Sequence, residues 1–312
     1  MAIQIFPVMD RFAAEVGDID LTQPLSPQDL ADVKSAFATY GVLVFPAQQI
    51  TQADHLRFAA HFGPLETSLQ GTLHGQKPRI PEQFADIANI NAEGKVWAAD
   101  NRLRLFQMGN RLWHTDSSFK PVPGRASLLY SRSIPPVGGH TEFADLRAAY
   151  EALPPNLKDR LRDLVAEHSL IYSRGKLGFT QFTESERVAF APVRRPLVRV
   201  HADSGRTTLY MASHVGKIDG MADADAAQFM QALTAHATQR QFVYTHRWRV
   251  ADLVMWDNRC TMHRGTEFED TRWPRDMQRV TTSDDADVFA AFAMGHSLPS
   301  AMHSVAGTDL QH

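Results

Sequence analysis

The sequence predicts a mainly β protein with flanking helices, folded as a sandwich or jelly roll. Short apolar or alternating runs, such as those at 42–45, 126–131 and 252–256, are typical of strands, and turn-forming residues separate them. Helical patterns are inserted among these runs without regular alternation, which disfavours a βαβ array with a parallel sheet. We expect a single domain over residues 1–312.

The N-terminal part predicts two helices around a buried strand. Ser26 is a cap with Pro27 at the first helical position, and apolar residues then recur every three or four positions up to Gly41, which ends the helix. The run 42–45 is apolar throughout and predicts a buried strand. Thr51 is expected to begin the second helix.

The rest of the chain alternates loops and β signals. Periodicity fails over 66–100, apart from a strand-like piece at 86–90, and again near 170–195. Long irregular segments in a compact enzyme are commonly lids or binding loops, so we expect both to act in this way. Further on we predict a hairpin with its turn at 202–206, an amphipathic helix over 222–238, and strands at 241–247, 252–256 and 275–282.

Composition and charge narrow the classes of function. The 312 residues are 44% hydrophobic and 21% charged, an ordinary globular composition, and the formal net charge of −3 shows no basic excess for nucleic acid. The single cysteine, Cys260, excludes an intrachain disulfide and fits a reducing compartment. The N-terminus lacks a signal-peptide pattern, and no apolar run approaches the roughly 18 residues of a membrane helix. We expect a cytoplasmic protein without nucleic-acid or membrane partners, assembled as a homo-oligomer.

The candidate chemistry begins with His114 and Asp116 in the stretch 112–117. Residues i and i+2 of a strand point to one face, so an imidazole and a carboxylate would project together. His263, 149 positions downstream, is the candidate second histidine. Two imidazoles and one carboxylate form the ligand set of non-haem Fe(II) oxygenases. A His-x-Asp pattern alone is weak among 14 histidines, and His114 could instead be a hydrogen-bonded histidine at a strand edge.

Two arginines follow His263 on one predicted strand. Arg275 and Arg279 lie 12 and 16 positions beyond it and share a strand face. The planar guanidinium suits bidentate binding of a carboxylate, and two such groups on one face repel unless each meets its own anion. We expect one anion to be 2-oxoglutarate and the other the substrate. Alternatively, both arginines pair with acidic side chains, or one is solvated.

Several motifs resemble those of the taurine/2,4-dichlorophenoxyacetate dioxygenase family of Fe(II)/2-oxoglutarate enzymes. The similarity covers roughly residues 8–287 and is greatest to the branch that oxidises 2,4-dichlorophenoxyacetate. It is carried by VLVF at 42–45, FGPLE at 62–66, LWHTDSSF at 112–119, GGHTEF at 138–143 and DLVMWDNRCTMHRG at 252–265.

The resemblance implies a double-stranded β-helix (jelly-roll) core and roles for individual residues. Fe(II) would be bound by His114, Asp116 and His263. Thr141 would bind the keto-acid end of 2-oxoglutarate and Arg275 its distal carboxylate. The acid group of the primary substrate would face Arg279, in a pocket lined also by Asn110 and Lys95.

The implied reaction consumes 2-oxoglutarate and O₂ and yields succinate and CO₂. The carbon next to the ether oxygen of an aryloxyalkanoate, such as 2,4-dichlorophenoxyacetate, would be hydroxylated to release a phenol and glyoxylate. The same chemistry on a sulfonate such as taurine, or on another small organic acid, is the alternative. A binding protein without turnover and a zinc hydrolase are two further readings, because two histidines and a carboxylate also serve zinc. Neither of these gives Thr141 and Arg275 the roles that the resemblance implies.

Overall fold

A computed structural model describes residues 3–69 and 79–286. The predicted β-rich architecture with flanking helices is present. In chain order the strands are β1 (Gln4–Met9), β2 (Ala13–Gly17), β3 (Val42–Phe45), β4 (Phe84–Asp86), β5 (Gly124–Ser133), β6 (Thr141–Asp145), β7 (Val165–His168), β8 (Val193–Pro196), β9 (Val198–Val200), β10 (Thr207–Leu209), β11 (Val215–Ile218), β12 (Val243–His246), β13 (Leu253–Asp257), β14 (Thr261–Gly265) and β15 (Asp276–Ser283).

Eight α-helices flank these strands within the described ranges. They are α1 (Pro27–Tyr40), α2 (Gln52–Ala59), α3 (Arg102–Gln107), α4 (Leu146–Glu151), α5 (Pro155–Leu161), α6 (Leu170–Gly175), α7 (Glu184–Ala189) and α8 (Asp223–Ala237), with short 3₁₀ segments at Ala60–Phe62, Met108–Arg111 and Arg240–Phe242. None of the described helices combines the length and apolar content that crossing a bilayer requires.

Two sheets form the framework of the candidate site. The larger has seven strands in the order β1-β2-β3-β13-β5-β15-β4, and the smaller has three in the order β12-β6-β14. Neighbouring strands are antiparallel except β2 and β3. An apolar cluster joins the sheets, because Phe143 of β6 packs with Val44, Leu129, Trp256 and Met277 of the larger sheet. This layered arrangement buries a core between the sheets, as a jelly roll requires.

The predicted helix limits in the N-terminal part are confirmed. The side chain of Ser26 accepts a hydrogen bond from the backbone N–H of Asp29, and α1 begins at Pro27. Gly41 ends the helix with a φ of 75°, in the left-handed region that glycine adopts without steric cost. Thr51 caps α2 with a reciprocal capping box to Asp54.

The two predicted loop segments turn out differently. In the first, the strand-like piece expected at 86–90 is shifted to β4, and residues 70–78 lie outside the described ranges. The second is not irregular, since Ser169 and Thr183 cap α6 and α7. These helices enclose an apolar cluster of Phe119, Leu170, Phe179, Phe182 and Phe190. The prediction of a loop over 170–195 is therefore wrong where α6, α7 and β8 lie, because these short elements are stabilised mainly by tertiary packing.

Candidate metal centre

His114 and His263 are brought together by a single antiparallel bridge. The backbone N–H of each donates to the carbonyl oxygen of the other, at 3.0 Å from His114 and 2.8 Å from His263. His263 lies in β14, which pairs along its length with β6. The two imidazole centroids are 4.1 Å apart. The smaller sheet thus fixes both histidines.

Asp116 is fixed from the larger sheet. The chain turns immediately after it, with Ser117 at a φ of 56°, so the predicted extended conformation does not continue past Asp116. The hydroxyl of Ser127 in β5 donates to Asp116 Oδ2 at 2.8 Å, and the backbone N–H of Asp116 donates to Asn258 Oδ1. The carboxylate lies 3.7 Å from His114 Nε2 and 3.6 Å from His263 Nε2.

The protonation of these three residues suits a divalent metal. His114 Nδ1 lies 2.7 Å from the carbonyl oxygen of Leu112, so Nδ1 carries the proton and Nε2 keeps a free lone pair. That Nε2 is buried and has no hydrogen-bond partner among the described residues. Burial lowers the pKa of His114 to about 4 and that of His263 well below its usual value. Two neutral imidazoles therefore face an ionised carboxylate at neutral pH, which is the state that metal ligands need.

Asp116 stays ionised because a cation lies against it. Burial alone would raise the pKa of Asp116, but the charge of Arg279 and, in acid where they are protonated, the charges of His263 and His114 outweigh it, and the pKa falls to about 2. Arg279 Nη1 donates to Asp116 Oδ1 at 2.5 Å. The sequence predicts that the Arg279 fork opens toward a substrate acid. Instead one of its N–H groups binds a carboxylate of the protein, which is one of the alternatives left open above.

A second cluster of possible metal ligands, His201, Asp257 and Cys260, has a different character. Arg259 Nη2 lies 2.6 Å from Asp257 Oδ2 and neutralises this carboxylate. His201 Nε2 is hydrogen-bonded to the same oxygen at 3.0 Å. Burial raises the pKa of the Cys260 thiol to about 12, so no thiolate forms at neutral pH. We assign this cluster to a structural hydrogen-bond network.

A cavity opens beside the metal centre. Its empty volume, including the opening to solvent, is about 850 Å³, and His114, Asp116, Arg279 and Asn110 are among its lining residues. Part of its lining is apolar and could hold an aromatic ring. The apolar lining residues, called the apolar wall below, are Leu69, Ile87, Leu103, Phe106, Phe119 and Leu170, and four of them, Leu69, Phe106, Phe119 and Leu170, pack in one cluster.

A second cavity of about 550 Å³ adjoins the first and contains Arg275. Ile87, Gln107 and Asn110 line both cavities. Arg275 is 9% exposed, its Nε has no hydrogen-bond partner, and no carboxylate of the described chain forms an ion pair with it. Burial lowers its pKa to about 10, so it remains a cation at neutral pH. The two arginines expected on one strand face therefore serve adjoining cavities.

Arg275 is positioned through its backbone. The side-chain oxygen of Asn89 accepts from the Arg275 backbone N–H at 2.7 Å, and Asn89 Nδ2 donates to the carbonyl oxygens of Asp270 and Trp273. Asn89 falls in the predicted strand-like piece, but its bonding to the 270–275 segment could not be anticipated from one sequence. It is a positioning residue that the sequence analysis missed.

Thr141 and Lys95 differ in how the structure places them. Thr141 begins β6 opposite Gly265, which lines the second cavity, and its hydroxyl accepts from Trp248 Nε1 at 3.0 Å. Lys95 is exposed in a turn held by Asn91, whose side chain accepts from the Lys95 backbone N–H. It lines neither cavity, so the structure does not bring it to the site as predicted.

Two further side chains in the first cavity were not anticipated. Arg174 of α6 and His214 are both buried and both line it. The ring of His214 lies 6.2 Å from that of His114, centroid to centroid. A signal for Arg174 existed, since Ser169 is a helix cap and Arg174 lies four positions after the apolar Leu170 on the same helical face.

Comparisons with known proteins agree with this geometry. The chain is 42% identical over 288 residues to the alpha-ketoglutarate-dependent 2,4-dichlorophenoxyacetate dioxygenase of Cupriavidus pinatubonensis, covering 92% of this chain and 100% of the relative. It is 35% identical to the (S)-phenoxypropionate/alpha-ketoglutarate-dioxygenase of Sphingobium herbicidovorans, over 87% of this chain and 92% of the relative. Alpha-ketoglutarate is another name for 2-oxoglutarate.

Solved structures and a family profile lead to the same assignment. The crystal structure of AAD-2 in complex with Mn(II) and N-oxalylglycine superposes with a TM-score of 0.87 at 44% identity, covering 91% of this chain and 99% of that one. Its resemblance confirms the predicted jelly-roll class. The profile described as "Taurine catabolism dioxygenase TauD, TfdA family" matches residues 4–281. The chain therefore belongs to the TauD/TfdA family of dioxygenases.

Proposed function

We propose that this protein is an Fe(II)/2-oxoglutarate-dependent dioxygenase that hydroxylates the carbon next to the ether oxygen of an aryloxyalkanoate such as 2,4-dichlorophenoxyacetate. The observation that carries the proposal is the buried group of His114, Asp116 and His263, whose ligand atoms all lie within 4.8 Å of one another. A cavity with an apolar wall opens beside it, and an adjoining cavity holds an unpaired arginine. The named activities of the relatives support the substrate class.

The metal would be held by His114, Asp116 and His263, with ligand positions left open for other molecules. When bound together, Fe(II), 2-oxoglutarate and O₂ supply oxidative decarboxylation to succinate and CO₂ and the hydroxylation of the substrate. The protein orients the metal-binding side chains of His114 and Asp116 through hydrogen bonds with the Leu112 carbonyl and the Ser127 hydroxyl, respectively. Such fixed partners of metal ligands hold the geometry that a metal requires.

The cosubstrate would be anchored at its distal carboxylate by Arg275. A buried cation without a protein anion is costly, and a carboxylate bound bidentately offsets that cost. The second cavity contains one carboxylate, Asp270, but Arg104 and Arg111 already pair with it at 2.9 and 3.0 Å. Arg275 is therefore available to a ligand. We propose that Thr141, whose strand partner Gly265 lines this cavity, contributes to binding the keto-acid end.

The aryl ring would occupy the apolar wall of the first cavity, with Asn110 between substrate and cosubstrate. Arg279 has an unpaired Nε after pairing with Asp116, and through it could contribute to the acid end. Hydroxylation next to the ether oxygen gives a hemiacetal, which separates into a phenol and glyoxylate without further oxidation. A small sulfonate such as taurine, the alternative substrate, would leave the apolar wall of the first cavity without a contacting group. Lys95 would take part only if its turn moved.

The experiment is a substrate panel measured by succinate release. With Fe(II), 2-oxoglutarate and O₂, wild-type protein should form succinate and 2,4-dichlorophenol in equal amounts from 2,4-dichlorophenoxyacetate. Taurine should release succinate no faster than the reaction without substrate. Coupled turnover of taurine instead would correct the substrate class. Absence of succinate with every acid tested would refute the enzyme class.

Three further features are proposed rather than observed. The chain would form a single domain, with the described parts of the segments at 66–100 and 170–195 bordering the first cavity, which residues from both segments line. It would act in the cytoplasm, in line with its single cysteine. It would assemble as a homo-oligomer, which sedimentation of the purified protein would test.

A further inference from the structure

Arg174 is a buried cation without an anion. It is 5% exposed, and its Nε and Nη1 have no hydrogen-bond partner among the described residues. No carboxylate of those residues forms an ion pair with it. Its guanidinium carbon lies 4.6 Å from the centroid of the Phe106 ring, and the side chain lines the first cavity.

The carboxylates that line the same cavity all have cationic partners already. Asp116 is bound by Arg279 at 2.5 Å, Glu66 by Lys120 at 2.5 Å, and Asp86 by Arg79 at 2.6 Å. Arg174 is left as an extra positive charge. An uncompensated buried charge is strongly unfavourable, and one further negative charge in the cavity would relieve it.

The guanidinium of Arg174 is closely packed on two sides. A Cβ added to Gly109 would lie 2.1 Å from Arg174 Nη1, so the guanidinium lies directly against the Gly109 backbone. Any larger residue at 109 would displace it. The contact with Phe106 on another side holds the planar group in place. Fixed in this way, the fork loses little freedom when it binds an anion.

We infer that Arg174 binds the carboxylate of the primary substrate, an aryl-ether monocarboxylate. The inference rests on the proposed function and adds the residue that recognises the acid. In an aryloxyacetate, the carbon to be hydroxylated is bonded directly to the carboxylate. The anchor must therefore lie close to the metal centre, and Arg174 shares the cavity with His114 and Asp116. The apolar wall, including Phe106 and Phe119, then lies beside the anchor and receives the ring.

Arg174 is positively charged beside the candidate metal centre. Burial together with the charge of Arg279 lowers the pKa of Arg174 to about 10, so Arg174 remains a cation at neutral pH. The two guanidiniums repel across the cavity. A bound monoanion would be attracted by both, with Arg174 as the partner that no protein carboxylate occupies.

The test compares binding of the acid with that of its neutral amide. Protein loaded with Mn(II) and N-oxalylglycine is titrated calorimetrically with 2,4-dichlorophenoxyacetate and with 2,4-dichlorophenoxyacetamide. Arg174→Met should lose roughly 30- to several-thousand-fold in affinity for the acid, the range for losing one partner of a buried charged pair. Its affinity for the amide should match that of the wild type. Lys176→Met removes a charge at the end of the same helix from a residue that lines no described cavity, and should keep the acid affinity within about threefold.

Stability separates ligand binding from a structural role. Replacing an unpaired buried cation by an apolar side chain should leave the melting temperature of the ligand-free protein unchanged or raise it, whereas loss of a structural ion pair would lower it. Added 2,4-dichlorophenoxyacetate should raise the melting temperature of the wild type but not of Arg174→Met. Arg174→Lys, which keeps the charge without the fork, should recover part of the acid affinity and serves if the methionine variant does not fold.

The outcomes distinguish this inference from the proposed function. If wild type and Lys176→Met prefer the acid over the amide and Arg174→Met keeps that preference in full, Arg174 does not bind the carboxylate, while the dioxygenase assignment stands. Lack of succinate formation by wild type and Lys176→Met with any acid would instead refute the dioxygenase assignment itself.

Discussion

Arg275→Met should raise the apparent KM for 2-oxoglutarate far more than that for the primary substrate. The guanidinium is 9% exposed, has no ion pair within the described chain and lines the second cavity, which adjoins the cavity beside the candidate metal centre. Losing one partner of a desolvated charged pair costs about 2–5 kcal/mol, which corresponds to roughly 30- to several-thousand-fold in affinity. The lower part of this range is expected, because the cavity opens to solvent and water can replace part of the pair.

The assay is succinate formation as a function of 2-oxoglutarate concentration at a fixed, saturating aryloxyalkanoate. A 2-oxo acid of similar size without the distal carboxylate gives the complementary measurement, because wild type should discriminate against it and the variant should not. The two changes remove the same pair, so together they should cost little more than either alone. Arg272→Met is the matched control, since Arg272 lies in the same segment but its side chain is 68% exposed and pairs with Glu269.

Three results would contradict this reasoning. An unchanged 2-oxoglutarate dependence in Arg275→Met would show that the distal carboxylate binds elsewhere. Strictly additive effects of the variant and the shortened cosubstrate would show that the two groups do not meet. A loss of melting temperature in the ligand-free variant would indicate that Arg275 serves the fold, because removal of an unpaired buried cation should not destabilise the protein.

The remaining predictions concern the metal, a positioning residue and pH. Asp116→Ala should abolish iron binding and succinate formation, measured by metal content and turnover, because two imidazoles remain without a carboxylate; full activity would remove the metal assignment. Asn89→Ala should lower the melting temperature and raise the KM for 2-oxoglutarate severalfold, because three hydrogen bonds that hold the Arg275 segment are lost, at about 1 kcal/mol each; an unaltered KM would mean that Arg275 is positioned without it. Burial lowers the pKa of His55 to about 4, so the stability that neutral His55 contributes should be complete above pH 6.5 and decline as the pH falls toward 4. His55→Gln should flatten that part of a melting-temperature profile, and an identical slope in both proteins would assign the loss to other groups.

Local chemistry made parts of this structure predictable. Ser26, Pro27 and Gly41 define α1 because capping and a left-handed φ depend on residues adjacent in sequence. The candidate metal ligands His114 and Asp116 could be proposed for a related reason, since residues two apart on a strand point to one face. His263 was a candidate from the sequence, but only the family resemblance, and no local pattern, links it to them.

Features that depend on packing between distant segments were not predictable. The ion pair of Arg279 with Asp116 requires β15 to lie beside β5 in one register, which one strand's sequence does not fix. Arg174 was missed despite the cap signal at Ser169, because α6 is short and the ring that packs on its guanidinium, Phe106, is distant in sequence. Lys95 was placed in the substrate pocket by the family resemblance, although its side chain is exposed in a turn held by Asn91.

The single bridge between His114 and His263 has a consequence for folding kinetics. It joins positions 149 residues apart, so closing it requires much of the intervening chain to be ordered first. We expect this long-range contact to be absent from the folding nucleus and to form after the transition state for folding. An ion bound across the bridge would then act mainly on the unfolding rate. Added metal should lengthen the lifetime of the native protein in denaturant while changing the refolding rate little, and stopped-flow measurements in both directions would show the asymmetry.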